Sequence, residues 1–294
     1  MKKGNYHESV LIKETVDGLH INFGGTYIDA TLGNGGHTLE ILKAGGHVLG
    51  IEMDPKMLEI ARERIGTEIK DVDSYKLVRG NFIDIDNHAK ANGFESVDGI
   101  VFDLGVTNLH LKNLERGFSF ENSGAELDMR LDPESQGVKA ADLLNVLRED
   151  QLEDLFKVTL EPGAAKWITG RVLHSRDAKP ISSVGDMLEI CEGLNTGKHL
   201  SEATLPFLAL RIAVNSELIN LKEALPKAFG LLSKGGRLLV ISFHSGEDVI
   251  VKDFFKEEIA KGAEAITFKP VMADPEEVNQ NRRARSAKLR IIKK

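Results

Sequence analysis

The chain has 294 residues, 41% of them apolar and 28% charged, with a net charge of −7. This is an ordinary globular composition, long enough for one large domain or two smaller ones, and it excludes a disordered chain. No apolar run approaches the roughly 18 residues that cross a bilayer. MKKGNYHESV shows no apolar stretch of a secretory signal, and the single cysteine, Cys191, excludes an intrachain disulfide or a Cys-rich zinc site. A cytoplasmic protein without membrane contact is the expectation.

The apolar segments alternate in style along the chain. YIDATL (27–32), HVLGIEM (47–53), YKLVRG (75–80) and VDGIVFDL (97–104) are near-continuous runs ending in Gly, Asp or a similar breaker, as strands buried on both faces of a parallel sheet should be. HTLEILKA (37–44) and PKMLEIARERI (55–65) lie between them with helical spacing. Strand–helix–strand alternation predicts a doubly wound α/β sheet. The fifth strand, RLLVISF (237–243), comes 132 residues after the fourth, far more than a crossover needs. Leu210, Val214, Leu218, Leu221 and Leu225 predict the returning helix. Residues 110–204 then form an inserted, mostly helical domain, and 1–109 with 205–294 form the α/β domain. Inside the insertion, 140–160, 164–176 and 184–194 read as helices, the last opened by a capping box of Ser183 and Asp186. A helix near 246–261 and strands at 266–270 and 286–292, the two paired as a hairpin, complete a seven-stranded sheet.

The first strand runs into Asp29-Ala30-Thr31-Leu32-Gly33-Asn34-Gly35-Gly36-His37. Glycines there let the backbone approach a ligand. The second strand ends with Glu52, 19 residues beyond Gly33, where an acid can accept both hydroxyls of a ribose. Together they point to a nucleoside-containing cofactor. The turn lacks the third glycine of a dinucleotide motif, and Asp29 suits a cationic group better than a pyrophosphate, so S-adenosylmethionine is favoured over NAD. Phe82 after the third strand and Asp103 ending the fourth are further candidates at the ligand-binding edge of the sheet. Charge is uneven: residues 281–294 hold seven cations and no acid, leaving −14 on the rest. A basic terminus on an acidic body suits contact with a polyanion.

These residues closely resemble those of the ribosomal RNA small-subunit methyltransferase H family, also called MraW. The stretches that carry the resemblance are HESVLIKETVDGL (7–19), YIDATLGNGGHT (27–38), DGIVFDLGV (98–106), ERGFSF (115–120), LDMRLD (127–132), ALRIAVNSEL (209–218), GGRLLVISFHSGED (235–248) and NRRARSAKLR (281–290). The resemblance implies a Rossmann-type, class I S-adenosylmethionine-dependent methyltransferase sheet with an inserted helical domain for substrate recognition. It implies methyl transfer to the N4 amine of a cytosine in 16S rRNA, at the decoding centre of the small ribosomal subunit. The alternative is a ribosome-assembly factor that binds the cofactor with weak or no methylation. A homodimer is left open.

By resemblance, Gly33, Gly35, Gly36, His37, Glu52, Phe82 and Asp103 bind the cofactor, with Glu52 standing where the family usually has Asp. His110 stands where the family has a glutamine against the cofactor. Gly246 and Val249 depart from the family's L-E-D-R pattern, and Val249 replaces an arginine. Asp103 is also the candidate for accepting a proton-bearing N–H of the amine. Arg116, Phe118 and Phe120 are candidates for a cation and stacking faces toward a flipped base. His244 and Ser245 are polar candidates at a strand's carboxyl end, and Arg282, Arg283 and Arg285 are candidates for phosphate contact. No metal is expected: His244 with Glu247 and Asp248 reads as a polar network.

Overall fold

The structure is a computed structural model that describes residues 9–112, 114–196 and 200–294; His7 and Glu8 of the first matched stretch lie outside the described residues. The described strands are β1 (Thr26–Asp29), β2 (His47–Glu52), β3 (Tyr75–Arg79), β4 (Val97–Asp103), β5 (Leu232–Ser242), β6 (Glu264–Ala265) and β7 (Lys288–Lys293). Among the described residues these seven form one sheet in the order β3-β2-β1-β4-β5-β7-β6. The first five run parallel, and β7 enters antiparallel between β5 and β6. This is the expected doubly wound, Rossmann-type sheet.

Its runs are apolar throughout because both faces are covered. Ile100, Phe102, Leu238 and Val240 belong to one buried cluster, while Val101, Leu239 and Ile241 belong to the cluster on the other face. Burying one such side chain is worth about 1.5–3 kcal/mol, so the central strands dominate the stability of this unit. The helices Gly36–Lys43 and Pro55–Glu68 follow β1 and β2. The second starts where Asp54 accepts the Lys56 N–H at 2.8 Å and Pro55 takes the first helical position. No helix among the described residues is long and apolar enough to cross a membrane.

The described residues fall into two compact units, one reaching to Thr107 and resuming at Leu218–Lys294, the other Asn108–Glu217. The chain thus returns to the α/β unit at 218 rather than 205. The expected single helix through Leu210 and Leu225 is two helices, Thr204–Val214 and Glu217–Leu231. Ser216 adopts φ 51° between them, and the buried Asn215 spends its carboxamide on the backbone, accepting from Leu131 N at 3.0 Å and donating to Met129 O at 2.9 Å. Helical spacing continues through the break, so periodicity alone does not reveal it. Within the second unit, Thr204–Val214 packs on Ala140–Val146 and Glu149–Lys157, the two helices into which the 140–160 pattern divides. Pro162–Ala178 follows, and Val184–Cys191 opens with the expected Ser183–Asp186 capping box.

The strand expected at 266–270 is absent. Ile266 N and Thr267 N both reach Ile291 O, while Ile291 N donates to the Thr267 hydroxyl at 2.9 Å instead of a carbonyl. That breaks the ladder, and Pro270 has no N–H with which to resume it. On the side of β7 away from β5, Glu264–Ala265 and a bridge from Val271 to Leu289 are the pairings among the described residues. The helix Pro275–Gln280 and a 3₁₀ turn, Arg282–Ser286, fill the connection, so no tight hairpin forms.

Candidate active site

The carboxyl ends of β1, β2 and β4 lie side by side, with Asp29 paired to Gly50 and to Val101 in register. Gly33 and Gly35 hold φ 53° and 79°, values that side chains with a Cβ seldom adopt. A Cβ on Gly35 would also press against Ile65 at 2.9 Å. The loop they form delivers Gly36 and His37 as the opening residues of Gly36–Lys43.

Glu52 closes the loop from the next strand. Its Oε2 accepts the Gly33 N–H at 2.7 Å and its Oε1 accepts the Asp54 N–H at 2.8 Å. Burial pushes its carboxyl up to about 8, against the pull of those two N–H groups. Asp29 is fully buried and braces the loop from inside: Oδ2 accepts the Thr38 hydroxyl at 2.7 Å and Oδ1 the Thr31 N–H at 3.3 Å. Burial raises its pKa.

His37 is 3% exposed, with Nε2 3.5 Å from Asp103 Oδ2, an ion-pair distance without hydrogen-bond geometry. Burial alone would lower its pKa, but the Asp103, Asp29 and Glu277 carboxylates outweigh it and raise it. Asp103 ends β4; its N–H donates to the Thr31 hydroxyl at 2.6 Å, and its buried Oδ1 has no hydrogen-bond partner among the described residues. Phe82, the first residue of a 3₁₀ turn after β3, stands edge-on to Phe102 with centroids 5.6 Å apart. It is anchored in the core on one side and half-exposed on the other.

Two loop contacts carry no motif and escape a reading of the sequence. Arg64 Nη1 donates to Asn34 O at 3.2 Å and to Asn34 Oδ1 at 3.0 Å, and Glu277 Oε1 accepts the Leu11 N–H at 2.7 Å. The signal for the first is a charge set between Ala61 and Ile65 on the face of a helix that is otherwise apolar.

The chain's matches decide what such a loop belongs to. The model of the MraW methylase family matches residues 4–294.

The chain belongs to the MraW methylase family.

It is 38% identical over 288 residues to the ribosomal RNA small subunit methyltransferase H of Dictyoglomus thermophilum, covering 97% of this chain and 95% of that one. The protein of the same description from Brevibacillus brevis is 37% identical, covering 98% of each. That from Beijerinckia indica is 40% identical, covering 97% of this chain and 84% of that one. The cofactor of this MraW methylase is S-adenosylmethionine. The residues present fit it: a glycine turn without room for side chains, a Glu52 carboxylate at the ribose-binding position of such sheets, and an unpartnered Asp103 oxygen.

The remaining candidates sit elsewhere. In the α/β unit, His244 caps the helix Ser245–Ala260: Nδ1 accepts the Glu247 N–H at 3.4 Å, while Glu247 Oε2 accepts the Phe243 N–H at 2.8 Å. Ser245 is exposed at that helix's first position. Asp248 turns away to Lys288 and Arg290, at 3.2 and 2.7 Å. The basic terminus is not a loose tail, since Lys288–Lys293 is a sheet strand. Lys293 pairs with Glu264 at 2.8 Å, Lys294 donates to the carbonyls of Gly230 and Leu232, and Arg283 lies over the Phe243 ring at 5.1 Å. Arg282 and Arg285 remain exposed.

In the second unit, Arg116 donates to the carbonyls of Arg130 and Leu131 at 2.6 and 2.9 Å and lies over Phe118. Phe118 is 7% exposed and His110 3%, their rings 5.4 Å apart. Arg116 and Phe118 are therefore packed into the fold of this unit, against the expectation of a free cation and stacking face, because the loop's own carbonyls and His110 occupy them. Phe120 keeps 39% exposure beside Phe207.

Proposed function

We propose that this MraW methylase transfers a methyl group from S-adenosylmethionine to the N4 amine of a cytosine in 16S rRNA, at the decoding centre of the small ribosomal subunit. Relatives that match over nearly their whole length carry the name ribosomal RNA small subunit methyltransferase H, which supports rRNA as substrate. The observation that carries the amine chemistry is Asp103: a carboxylate at the carboxyl end of β4, with one oxygen beside His37 and the other unpartnered.

The cofactor supplies an electrophilic methyl group on a sulfonium. A cytosine amine is a weak nucleophile because its lone pair is delocalised into the ring. Asp103 would accept one of its N–H groups, which favours pyramidalisation, and would take that proton as the N–C bond forms and the C–S bond breaks to leave a neutral thioether. His37 fixes the Asp103 carboxylate from the side. Glu52 and the glycine turn hold the nucleoside of the cofactor, and Phe82 offers an aromatic edge at the same rim. Positioning of this kind is worth up to about 7–11 kcal/mol.

The second unit is the proposed substrate-recognition module, with Phe120 as its exposed ring. Arg282 and Arg285 are the proposed phosphate contacts. Nuclease digestion and mass spectrometry of 16S rRNA from cells with and without the protein tests this. Loss of one methyl on one cytosine N4, restored by incubating purified subunits with protein and cofactor, is the expected result. An unchanged methylation pattern sinks the proposal and leaves an assembly factor.

A further inference from the structure

The glycine turn of the proposed cofactor seat is built from residues with the greatest conformational freedom in the unfolded chain, yet it is held on several sides. Gly33 is tied to Glu52. Between Gly33 and Gly35 stands Asn34, which is 4% exposed and receives Arg64 on both its backbone and its side-chain oxygen, at 3.2 and 3.0 Å. Arg64 and Ile65 stand three and four residues after Ala61, so they share its face of Pro55–Glu68. All three meet the turn: a Cβ on Gly35 would lie 2.9 Å from Ile65 and 3.6 Å from Ala61, and one on Gly36 would lie 3.6 Å from Arg64 Nη1. That helix is itself anchored at its start, where the Glu52 carboxylate holds the Asp54 N–H. The ribose-side acid, the helix and the turn thus form one braced assembly.

We infer that Arg64 is a positioning residue for the cofactor site, acting through Asn34 to hold the glycine turn in its binding conformation. A turn that is ordered before the ligand arrives spares the ligand the ordering entropy, which appears as affinity. The guanidinium suits this task. It is permanently charged and planar, and its donors are fixed in a fork that can bridge two oxygens of one residue. Arg64 meets the turn at Asn34, between Gly33 and Gly35, so its effect is expected on cofactor binding. The inference rests on the reading of the glycine turn as the cofactor's seat, and the experiment separates the two.

Titration calorimetry with S-adenosylhomocysteine is run on the wild type, Arg64→Ala, Arg64→Lys, Asn34→Ala, the Arg64→Ala/Asn34→Ala double variant and Glu52→Ala, with melting of the ligand-free proteins in parallel. Arg64→Ala should weaken binding about tenfold, and Arg64→Lys, which keeps one donor and the charge, should recover part of that loss. The double variant should bind no worse than Arg64→Ala, because that substitution already removes the side-chain contact that Asn34→Ala removes, along with the backbone one. Full-strength binding by Arg64→Ala, or losses that multiply in the double variant, overturns the inference while Glu52→Ala still binds weakly. Glu52→Ala binding at wild-type strength overturns the seat itself. Should Arg64→Ala fail to fold, Arg64→Lys and Asn34→Ala decide by the same criterion: wild-type affinity in both rejects the role.

Discussion

His37 Nε2 and Asp103 Oδ2 stand 3.5 Å apart, joining the first turn of the helix after β1 to the last residue of β4. The pair leaves one Asp103 oxygen engaged from the side and the other unpartnered among the described residues. In the proposed mechanism the histidine orients and the carboxylate acts. If Asp103 accepts the amine N–H in the transition state, Asp103→Ala should lower single-turnover rates on small subunits by about 10²–10⁴ even at saturating cofactor. Asp103→Asn keeps a carbonyl and should lose less. Wild-type turnover at saturation in both, with only weaker cofactor binding, would reduce Asp103 to a binding residue.

Glu52 should be read in the cofactor affinity. Glu52→Ala removes a buried hydrogen-bond acceptor, a loss of about 1–3 kcal/mol, or about 5- to 150-fold in Kd. It also frees the Gly33 and Asp54 N–H groups. Calorimetric titration checks this, and an unchanged Kd would remove Glu52 from the site.

The same carboxyl should leave a mark on stability against pH. Its pKa stands at about 8 in the fold, above the ordinary carboxylate value of 4.5. The folded state therefore binds the proton more tightly than the unfolded state across that interval. The stabilisation from Glu52 is present at the acidic end and is lost as pH rises toward 8. Glu52→Gln cannot titrate. Denaturant unfolding at several pH values between 5 and 8 should show wild-type stability falling relative to the Gln variant, whatever the offset between them. A constant difference would mean that Glu52 is ionised throughout.

The sheet and the turn were legible because their signals are local. Buried parallel strands must be continuously apolar, and a turn with two positive φ values must spend glycines, so β1, β2, β4 and the Gly33–Gly36 stretch announce themselves. Glu52 is legible by its distance from that turn. The break at Asn215–Ser216 was not, since Asn215 ends the helix by bonding to Met129 and Leu131, more than 80 positions away in the chain. Arg116 and Phe118 looked like an RNA-facing pair because composition cannot distinguish a free guanidinium from one spent on the Arg130 and Leu131 carbonyls. The Arg64–Asn34 contact joins residues 30 positions apart, and its trace in the sequence is a charge between Ala61 and Ile65 that names no partner.

The C-terminal cations separate into two kinds, and that separation is testable. Arg290 meets Asp248 through two nitrogens at 2.7 and 3.2 Å, with Lys288 beside them at 3.2 Å. Burial works against the Asp248 charge, but the two cations hold its pKa below the ordinary range. Both cations are held within the fold, where Asp248 offsets one of their two charges. Arg282 and Arg285 are exposed in the 3₁₀ turn before β7, with no such acid paired to them among the described residues. Each phosphate contact to a single strand contributes about 0.7 to the slope of log K against log salt. Replacing Arg282 and Arg285 together by Ala should therefore weaken binding to small ribosomal subunits and flatten that slope by about 1.4, with cofactor affinity unchanged. Arg290→Ala should behave oppositely, costing about 1.5–3 kcal/mol of stability from the lost charged hydrogen bonds and leaving the slope near wild type. Filter binding across a salt series, with thermal melts alongside, distinguishes them. A wild-type slope in the Arg282/Arg285 variant would make that turn a solvated surface and move the RNA contact elsewhere.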